Sequence, residues 1–384
     1  MITYSFLQHY WWMIISLLAG ILAFMLFVQG ANAVMVFACK NENEYRMVVN
    51  STGRKWELTF TTLVVFGGAF FASFPLFYST SFSGAYWVWM LLLLSFVLQA
   101  VSYEYQTKKG NVLGKSFFRI VLFTCGLLSP FIIGTVISTF FYGAPFVVNK
   151  NSLVENFMPI ISTWESCWHG LEALWSPFYN LILGFALVFL SRCVGSLYLL
   201  NNINNHVLGN RIRRIMFSNA VWFVVFFCIF LYNILTKDGF YVNPDNQVVS
   251  IQQFKYFYNL IDMPIVLILF VLGVILFVVG VYKSVVNISY RKGIWYSGPG
   301  VVLAVMSLFL ILGFNNTAYY PSTVDIQSSL TIFNSSSSEF TLFTMGIISL
   351  LIPFVVAYIA YSWRSMDKAS ITEQEVVSGQ HNLY

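Results

Sequence analysis

The chain has 384 residues, of which 58% are hydrophobic and only 9% are charged. Soluble domains carry about 25% charged residues, because their surface faces water. So few charges, with a mean hydropathy of +0.74, exclude an ordinary soluble protein. The net charge of +5 comes from short basic clusters between apolar runs, which is not the pattern of a nucleic-acid-binding surface.

Nine stretches are long and apolar enough to cross a membrane as helices, since a crossing of about 30 Å needs about 20 such residues. They are roughly 10–37, 58–78, 82–104, 117–141, 178–200, 215–235, 264–284, 298–314 and 340–363. An open sheet cannot satisfy its backbone hydrogen bonds in lipid. The sequence therefore predicts an all-α integral membrane protein with a single polytopic membrane domain over 1–384.

The basic residues alternate between connections, and most of the 20 lie on one side of the membrane. On that side are Lys40, Arg46, Arg54, Lys55, Lys108, Lys109, Lys115, Arg119, Arg211, Arg213, Arg214, Lys283, Arg291, Lys292, Arg364 and Lys368. Because basic connections stay in the cytoplasm, the N-terminus is predicted outside and the tail, 364–384, in the cytoplasm.

Aromatic residues at two places in the chain predict structure at the membrane interface. The outer connection 142–177 spaces its tryptophans and leucines as a helix lying in the interface would, and docking of a partner protein is the alternative. Trp11 and Trp12 open the first span and are interpreted as interfacial anchors.

The four histidines limit what the chain can bind. A b-type haem needs axial ligands inside the helix bundle, usually His. His9 precedes the first predicted span, His169 and His206 lie in connections, and His381 lies in the tail. The five cysteines form no CxxC pair, and no P-loop or HExxH motif is present. We therefore expect this chain to ligate no haem or metal and to be no complete enzyme by itself.

Ionisable residues within membrane spans are costly and are functional candidates by default. Glu57 opens the second span, Glu104 ends the third, and Arg192 lies on the fifth. The two acids are interpreted either as a proton pathway, with protons entering at Glu57, or as boundary residues bathed by water and headgroups. Arg192 is interpreted as a structural partner of a carboxylate or of carbonyl groups.

Uncharged polar residues lie at a similar depth. Gln29 and Asn32 are on the first span and Gln99 is on the third. With Arg192 they predict a polar cluster in the inner half of the membrane.

Six short motifs follow one another along the chain. They are 50–57 (NSTGRKWE), 67–78 (GGAFFASFPLFY), 82–86 (FSGAY), 143–146 (GAPF), 329–337 (SLTIFNSSS) and 381–384 (HNLY). In this order they resemble subunit II of cytochrome bd-type quinol oxidases. The segment 67–78 is the most specific of them, and the middle third of the chain matches weakly.

The resemblance implies nine helices, built as two four-helix bundles and one peripheral helix. It implies a bacterial inner-membrane heterodimer with a subunit I that carries two b-type haems, one d-type haem and the quinol-oxidising site. The complex would reduce oxygen to water with cytoplasmic protons, and this haem-free chain would complete the scaffold. Glu57 matches the family acid that is associated with a proton pathway. A bound quinone or lipid and a small accessory subunit are compatible with the resemblance, which leaves the quinone type open.

The chain departs from the family pattern at charged positions. The family's first span carries Asp-Gly-Phe-Asp where this chain has Gln29-Gly30-Ala31-Asn32, and its third span carries arginines at the positions of Gln99 and Gln106. Removing both partners of a buried ion pair can be neutral, whereas removing one is costly. We hypothesise that the acids and the arginines were lost together.

A secondary transporter is the alternative function, with Glu57, Glu104 and Arg192 as coupling residues. Two observations oppose it. The acids lie near one face of the membrane rather than at its midplane, and no predicted span is clearly broken at mid-membrane.

Overall fold

Nine membrane spans follow the nine predicted stretches in a computed structural model, which describes residues 3–108, 110–149, 162–367 and 370–372. Eight spans in these residues are long apolar helices, and the ninth is a pair of helices bent by 42°, so the expectation that no span is broken is wrong for the ninth. The predicted all-α membrane fold is confirmed. Lys109, Lys368, His381 and most of the predicted tail lie outside the described residues.

The helices have the following bounds. The first span consists of α1 (Tyr4–Met25) and α2 (Phe27–Ala38); α3 (Glu42–Gly53) leads into the second span, α4 (Trp56–Ser73), which is followed by α5 (Pro75–Phe77) and a π-helical turn (Tyr78–Ser83). The next four spans are α6 (Tyr86–Tyr105), α7 (Gly114–Tyr142), α8 (Tyr179–Asn202) and α9 (His206–Thr236). A short helix α10 (Lys255–Asp262) precedes α11 (Pro264–Val286), then come α12 (Ile294–Gly313) and the bent pair α13 (Glu339–Ser349) and α14 (Ile352–Met366).

The connections at the two ends of the bundle differ in character. The basic end comprises the connections 39–55, 106–113, 203–205 and 287–293 and the segment after α14, and the loop end comprises 143–178, 237–263 and 314–338. At the loop end, β1 (Phe146–Val148) pairs antiparallel with β2 (Ser162–Trp164), and β3 (Gly239–Val242) pairs antiparallel with β4 (Val249–Gln252).

The interfacial helix expected within 142–177 does not form in the described part of that connection. There the chain forms β1, β2 and one 3₁₀ turn at Leu171–Leu174, while 150–161 lie outside the described residues. The indole of Trp164 donates to the Thr80 carbonyl at 2.9 Å. This contact ties the connection down onto the π-helical turn instead of leaving a free amphipathic helix in the interface.

The first and fifth spans cross with their backbones in contact. A Cβ atom on Gly30 would overlap the Ser191 carbonyl oxygen, and one on Gly195 would overlap the Ala31 nitrogen. Close approach through small residues is how membrane helices gain van der Waals contact, because lipid gives them no hydrophobic driving force to associate. This crossing joins the group of spans one to four to the group of spans five to eight.

The helix of the first span is interrupted for one residue, Leu26, between α1 and α2. At the break, the Thr59 hydroxyl of α4 donates to the Met25 carbonyl at 2.9 Å. A side chain that enters the helical hydrogen-bond ladder is a recognised cause of a kink. The interruption lies three residues before Gln29, at the start of the helix that carries Gln29 and Asn32.

The ninth span is peripheral and is attached to α1. The Tyr10 hydroxyl lies 2.6 Å from the Ser349 hydroxyl, and the Trp11 indole donates to the Leu342 carbonyl at 3.1 Å. No residue of α14 is buried. One continuous buried core nevertheless includes residues from Leu7 to Ile371.

Two interpretations of aromatic and histidine residues are wrong. Trp11 and Trp12 are buried rather than interfacial, because the eighth and ninth spans cover them, and the Trp12 indole donates to the Phe309 carbonyl at 3.0 Å. His9 lies inside α1 instead of before it, and His206 is the first residue of α9 instead of part of a connection.

Substitution of Gly30 by alanine should destabilise the protein, because the added methyl would overlap the Ser191 backbone; overpacking typically costs about 1–3 kcal/mol. The melting temperature and yield of the purified complex measure this. The control is Gly346→Ala, whose added Cβ would meet only the Leu7 side chain, at 3.9 Å. Equal melting temperatures for the two variants would contradict the close crossing.

Candidate functional site

Four polar side chains form a buried column between α2 and α6. The Gln29 amide donates to the Gln99 side-chain oxygen at 3.0 Å, and the Tyr103 hydroxyl donates to the Asn32 side-chain oxygen at 2.8 Å. The two pairs lie about one helical turn apart, since Gln29 and Asn32 share a face of α2 and Gln99 and Tyr103 share a face of α6. We call these four residues the polar column.

The column extends towards the basic end through Trp56, whose ring stacks on Tyr103 with the centroids 6.3 Å apart. Several buried polar atoms in this region have no hydrogen-bond partner in the described part of the chain. They are Gln29 Oε1, Asn32 Nδ2, Trp56 Nε1, Gln99 Nε2 and, nearer the basic end, Asn50 Nδ2, Ser51 Oγ and Gln106 Nε2. Buried polar groups in proteins are normally satisfied by protein or by ordered water. The unpartnered polar atoms of this region therefore form a row of binding sites for water molecules.

The predicted ionisable residues do not join the polar column. Glu57 is exposed at the first turn of α4, next to Trp56. Glu104 has a side chain that is 52% exposed and lies 2.7 Å from the Lys108 ammonium. The Arg192 guanidinium lies over the Phe37 ring, 5.3 Å from its centroid, and its Nε has no hydrogen-bond partner in the described residues. The carboxylate or carbonyl partner expected for Arg192 is not formed there, and the coupling set of the transporter alternative is not assembled.

A buried ion pair lies at the basic end, and no pattern in the sequence indicates it. Lys55 and Asp367 lie 3.1 Å apart, with side chains that are 0% and 11% exposed. The Lys55 ammonium also lies 4.9 Å from the centre of the Trp363 ring. Asn202 of α8 donates to Asp367 at 3.3 Å and to the Tyr198 hydroxyl at 2.7 Å. The pair therefore holds the end of the ninth span against the second and fifth spans.

A second group of charges surrounds α3 at the basic end. Arg211 of α9 is bonded to the Glu44 carboxylate and to the Ala38 carbonyl. Arg119 of α7 donates to the Glu42 carboxylate at 2.6 Å. The sequence predicts Arg211 in a connection, but it lies in the second turn of α9, which begins at His206. The basic residues here therefore fix the packing of α3.

The histidines and acids form no metal site in the described residues. No group of three or more His, Cys, Asp or Glu side chains is placed to hold a metal ion in that part of the chain. The His9 ring donates from Nδ1 to the Ser5 carbonyl of its own helix at 2.7 Å and packs on Phe314 and Phe333. His169 packs on Tyr86 at the loop end.

Comparison with known protein families identifies the family of this chain. The family model described as "Cytochrome bd terminal oxidase subunit II" matches residues 7–366. The chain belongs to this family. It is therefore a membrane subunit of a respiratory quinol oxidase complex, and the family implies a haem-bearing subunit I as its partner and the bacterial inner membrane as its location.

Curated relatives cover almost the whole chain. The chain is 27% identical to a "Probable cytochrome oxidase subunit 2" of Haemophilus influenzae and 26% identical to the "Cytochrome bd-I ubiquinol oxidase subunit 2" of Escherichia coli K12, with all of both chains covered in each case. It is 25% identical to the "Cytochrome bd ubiquinol oxidase subunit 2" of Bacillus subtilis, over 93% of this chain and 95% of that one.

A solved structure shows the same fold. The bd oxidase from Geobacillus thermodenitrificans matches with a TM-score of 0.55 at 13% identity, over 92% of this subunit II chain and 97% of that chain. At this identity the likeness concerns the fold alone.

Breaking the Lys55–Asp367 pair in this subunit II should lower its stability, because each single change leaves one buried charge without a partner. Lys55→Met and Asp367→Asn should each cost about 3–5 kcal/mol, measured as the melting temperature of the complex. The matched control is Glu104→Gln, which breaks an exposed pair and should leave the melting temperature unchanged. A similar drop in melting temperature in all three variants would show that the buried pair stabilises the complex no more than the exposed pair does.

The contact between Gln29 and Gln99 gives the paired-loss hypothesis a direct test. Gln29→Asp alone places an uncompensated carboxylate in a buried site, and Gln99→Arg alone places an uncompensated guanidinium there. The double variant should therefore be tolerated better than either single variant, as measured by the yield and melting temperature of the haem-bearing complex. Equal damage in all three would reject the hypothesis.

Proposed function

We propose that this chain is the haem-free subunit II of a cytochrome bd-type quinol:oxygen oxidoreductase and that it is not catalytic alone. Subunit I would carry the two b-type haems, the d-type haem and the quinol site, and its haems would pass quinol electrons to oxygen. Membership of the subunit II family carries this proposal. The positions of the described histidines support it, since His9 and His169 contact aromatic rings near the loop end and His206 begins α9 at the basic end.

We also propose an orientation for the chain. The basic end would lie in the cytoplasm, because Lys and Arg are concentrated in the cytoplasmic connections of membrane proteins. The start of α1 and the two β-hairpins would then lie outside. In this orientation the polar column opens towards the cytoplasm, which is the side from which an oxidase of this kind would draw protons.

The proposed proton route begins at Glu57 and continues along the polar column. Glu57 is exposed and can exchange protons with water. The unpartnered atom Trp56 Nε1 lies next to it along the chain, and those of Asn32 and Gln99 lie deeper. Water bound to these atoms would link the carboxylate to the interior of the span, and hydrogen-bonded water and side chains of this kind can act as a proton-transfer chain.

Glu104 has a different proposed role. It lies on an exposed part of α6 and pairs with Lys108 one turn away. An exposed i,i+4 pair of this kind is typical of a boundary residue in contact with water. We therefore assign Glu104 to the boundary rather than to the route.

An apolar cavity of about 310 Å³ supports a bound lipid or quinone chain. It lies between the first span and spans four to eight and is lined by aliphatic and aromatic side chains, glycines and Cys228. Apolar cavities do not hold water. An acyl or isoprenoid chain would fill this one without leaving a polar group unpaired.

Glu57→Gln tests the proposed route. It should slow quinol-dependent oxygen consumption severalfold, because glutamine cannot load and release a proton, while the haem absorption bands of the complex stay unchanged. The matched control is Glu339→Gln, the same change at an exposed site in the first turn of α13, at the loop end. Unchanged oxygen consumption in Glu57→Gln would reject the route, and loss of the haem bands would show a structural role instead.

A further inference from the structure

A cleft of about 670 Å³ with polar groups in its walls opens at the loop end, where three membrane spans finish or begin. Its walls are the end of α7, the start of α8 and the end of α9, and it is lined among others by Tyr142, Glu172, Tyr179 and Lys237. The proton route at the basic end does not use it. Three features of its walls point to a ligand.

The first feature is a half-buried cation. Lys237 directly follows α9, and its ammonium donates to the Phe141 carbonyl at 3.2 Å and lies 4.4 Å from the centre of the Tyr142 ring. An ammonium has three donors, so two remain available. Burial lowers the pKa of Lys237 to about 8, and neighbouring Asp238 opposes this only in part. No carboxylate within the described ranges forms an ion pair with it, so an anion would be stabilised here.

The second and third features are two unpartnered oxygens. Tyr142 is only 8% exposed, and its hydroxyl has no hydrogen-bond partner in the described part of the chain. One Glu172 oxygen accepts from the Gly170 nitrogen at 2.9 Å, but the other is buried without a partner in the same residues. By contrast, Asn233 and Thr236, also in the cleft, donate within their own helix. A buried hydroxyl and carboxylate left unpaired are costly, so a ligand that meets both would be stabilised.

The position of the cleft identifies the kind of molecule that reaches it. Phe178 and Tyr179 at the start of α8 and Tyr232 near the end of α9 are exposed. Exposed aromatic side chains at the ends of spans mark the headgroup level of the bilayer. A ligand at this level that has both an anionic and a cationic group matches the wall, because the ammonium and the phenol suit a phosphate and the carboxylate suits an ammonium.

We propose that this cleft binds the headgroup of a zwitterionic phospholipid with a primary amine, as in phosphatidylethanolamine. The phosphate contacts Lys237 and Tyr142, and the lipid ammonium contacts Glu172. The acyl chains lie along the exposed apolar faces of α8 and α9. An anionic lipid without an amine would contact Lys237 and Tyr142 but not Glu172.

The test uses the purified whole complex after partial delipidation. Phosphatidylethanolamine or phosphatidylglycerol is added back, and native mass spectrometry compares the lipid retained by wild type and variants. Lys237→Gln should weaken retention of both lipids about tenfold. Tyr142→Phe, which keeps the ring, should weaken both by less. Glu172→Gln should selectively abolish the preference for phosphatidylethanolamine over phosphatidylglycerol.

The matched control is Lys255→Gln, which removes a second buried ammonium at the loop end that donates to the Asn315 carbonyl at 2.8 Å. It should leave lipid retention unchanged. Haem bands and melting temperature show whether each variant complex is intact. Displacement of the lipid by inorganic phosphate alone, or a lipid preference that survives Glu172→Gln, would overturn the proposal. Retention that is equal in wild type and Lys237→Gln would overturn it as well, for example because subunit I fills the cleft.

Discussion

The backbone contact between the first and fifth spans is the constraint on which the rest of the structure depends. Because Gly30 and Gly195 have no side chains, α2 and α8 approach until their main chains touch. One side of α2 is then occupied by α8, and Gln29 and Asn32, which share another face, form hydrogen bonds with side chains of α6. The same crossing joins the two groups of helices. It therefore determines both how the two groups meet and where the polar column lies.

The polar column places polar side chains inside the membrane without burying a charge. A buried ion pair has to offset the cost of taking two charges out of water, and it does so only with favourable geometry. Amides and a phenol avoid that cost, but each amide has more donors and acceptors than its single partner satisfies. The unpartnered atoms therefore follow from the presence of amides at these positions, and water is the simplest group that completes them.

The sequence predicted the spans well and the contacts between them poorly. Apolar length identifies a span because lipid imposes it, yet α9 begins nine residues before the predicted 215, at a cap where Asn205 accepts from the Leu208 nitrogen. Those first turns lie outside the apolar stretch, so a criterion based on apolar length cannot detect them. Trp11 was misplaced because the composition of a span end does not reveal that another helix covers it. The Lys55–Asp367 pair could not be found either, since its partners are far apart in sequence and neither has a local pattern.

That ion pair also has a consequence for the order in which the protein is completed. Domains and helices are assembled while the chain is being synthesised, and Lys55 emerges early, whereas Asp367 emerges only after the ninth span. Until then the lysine has to remain hydrated at the bilayer surface, since burial without its counter-ion is unfavourable. Lys55 can therefore become buried only after translation reaches the last helix, so a nascent chain stopped before that point keeps this lysine hydrated at the bilayer surface.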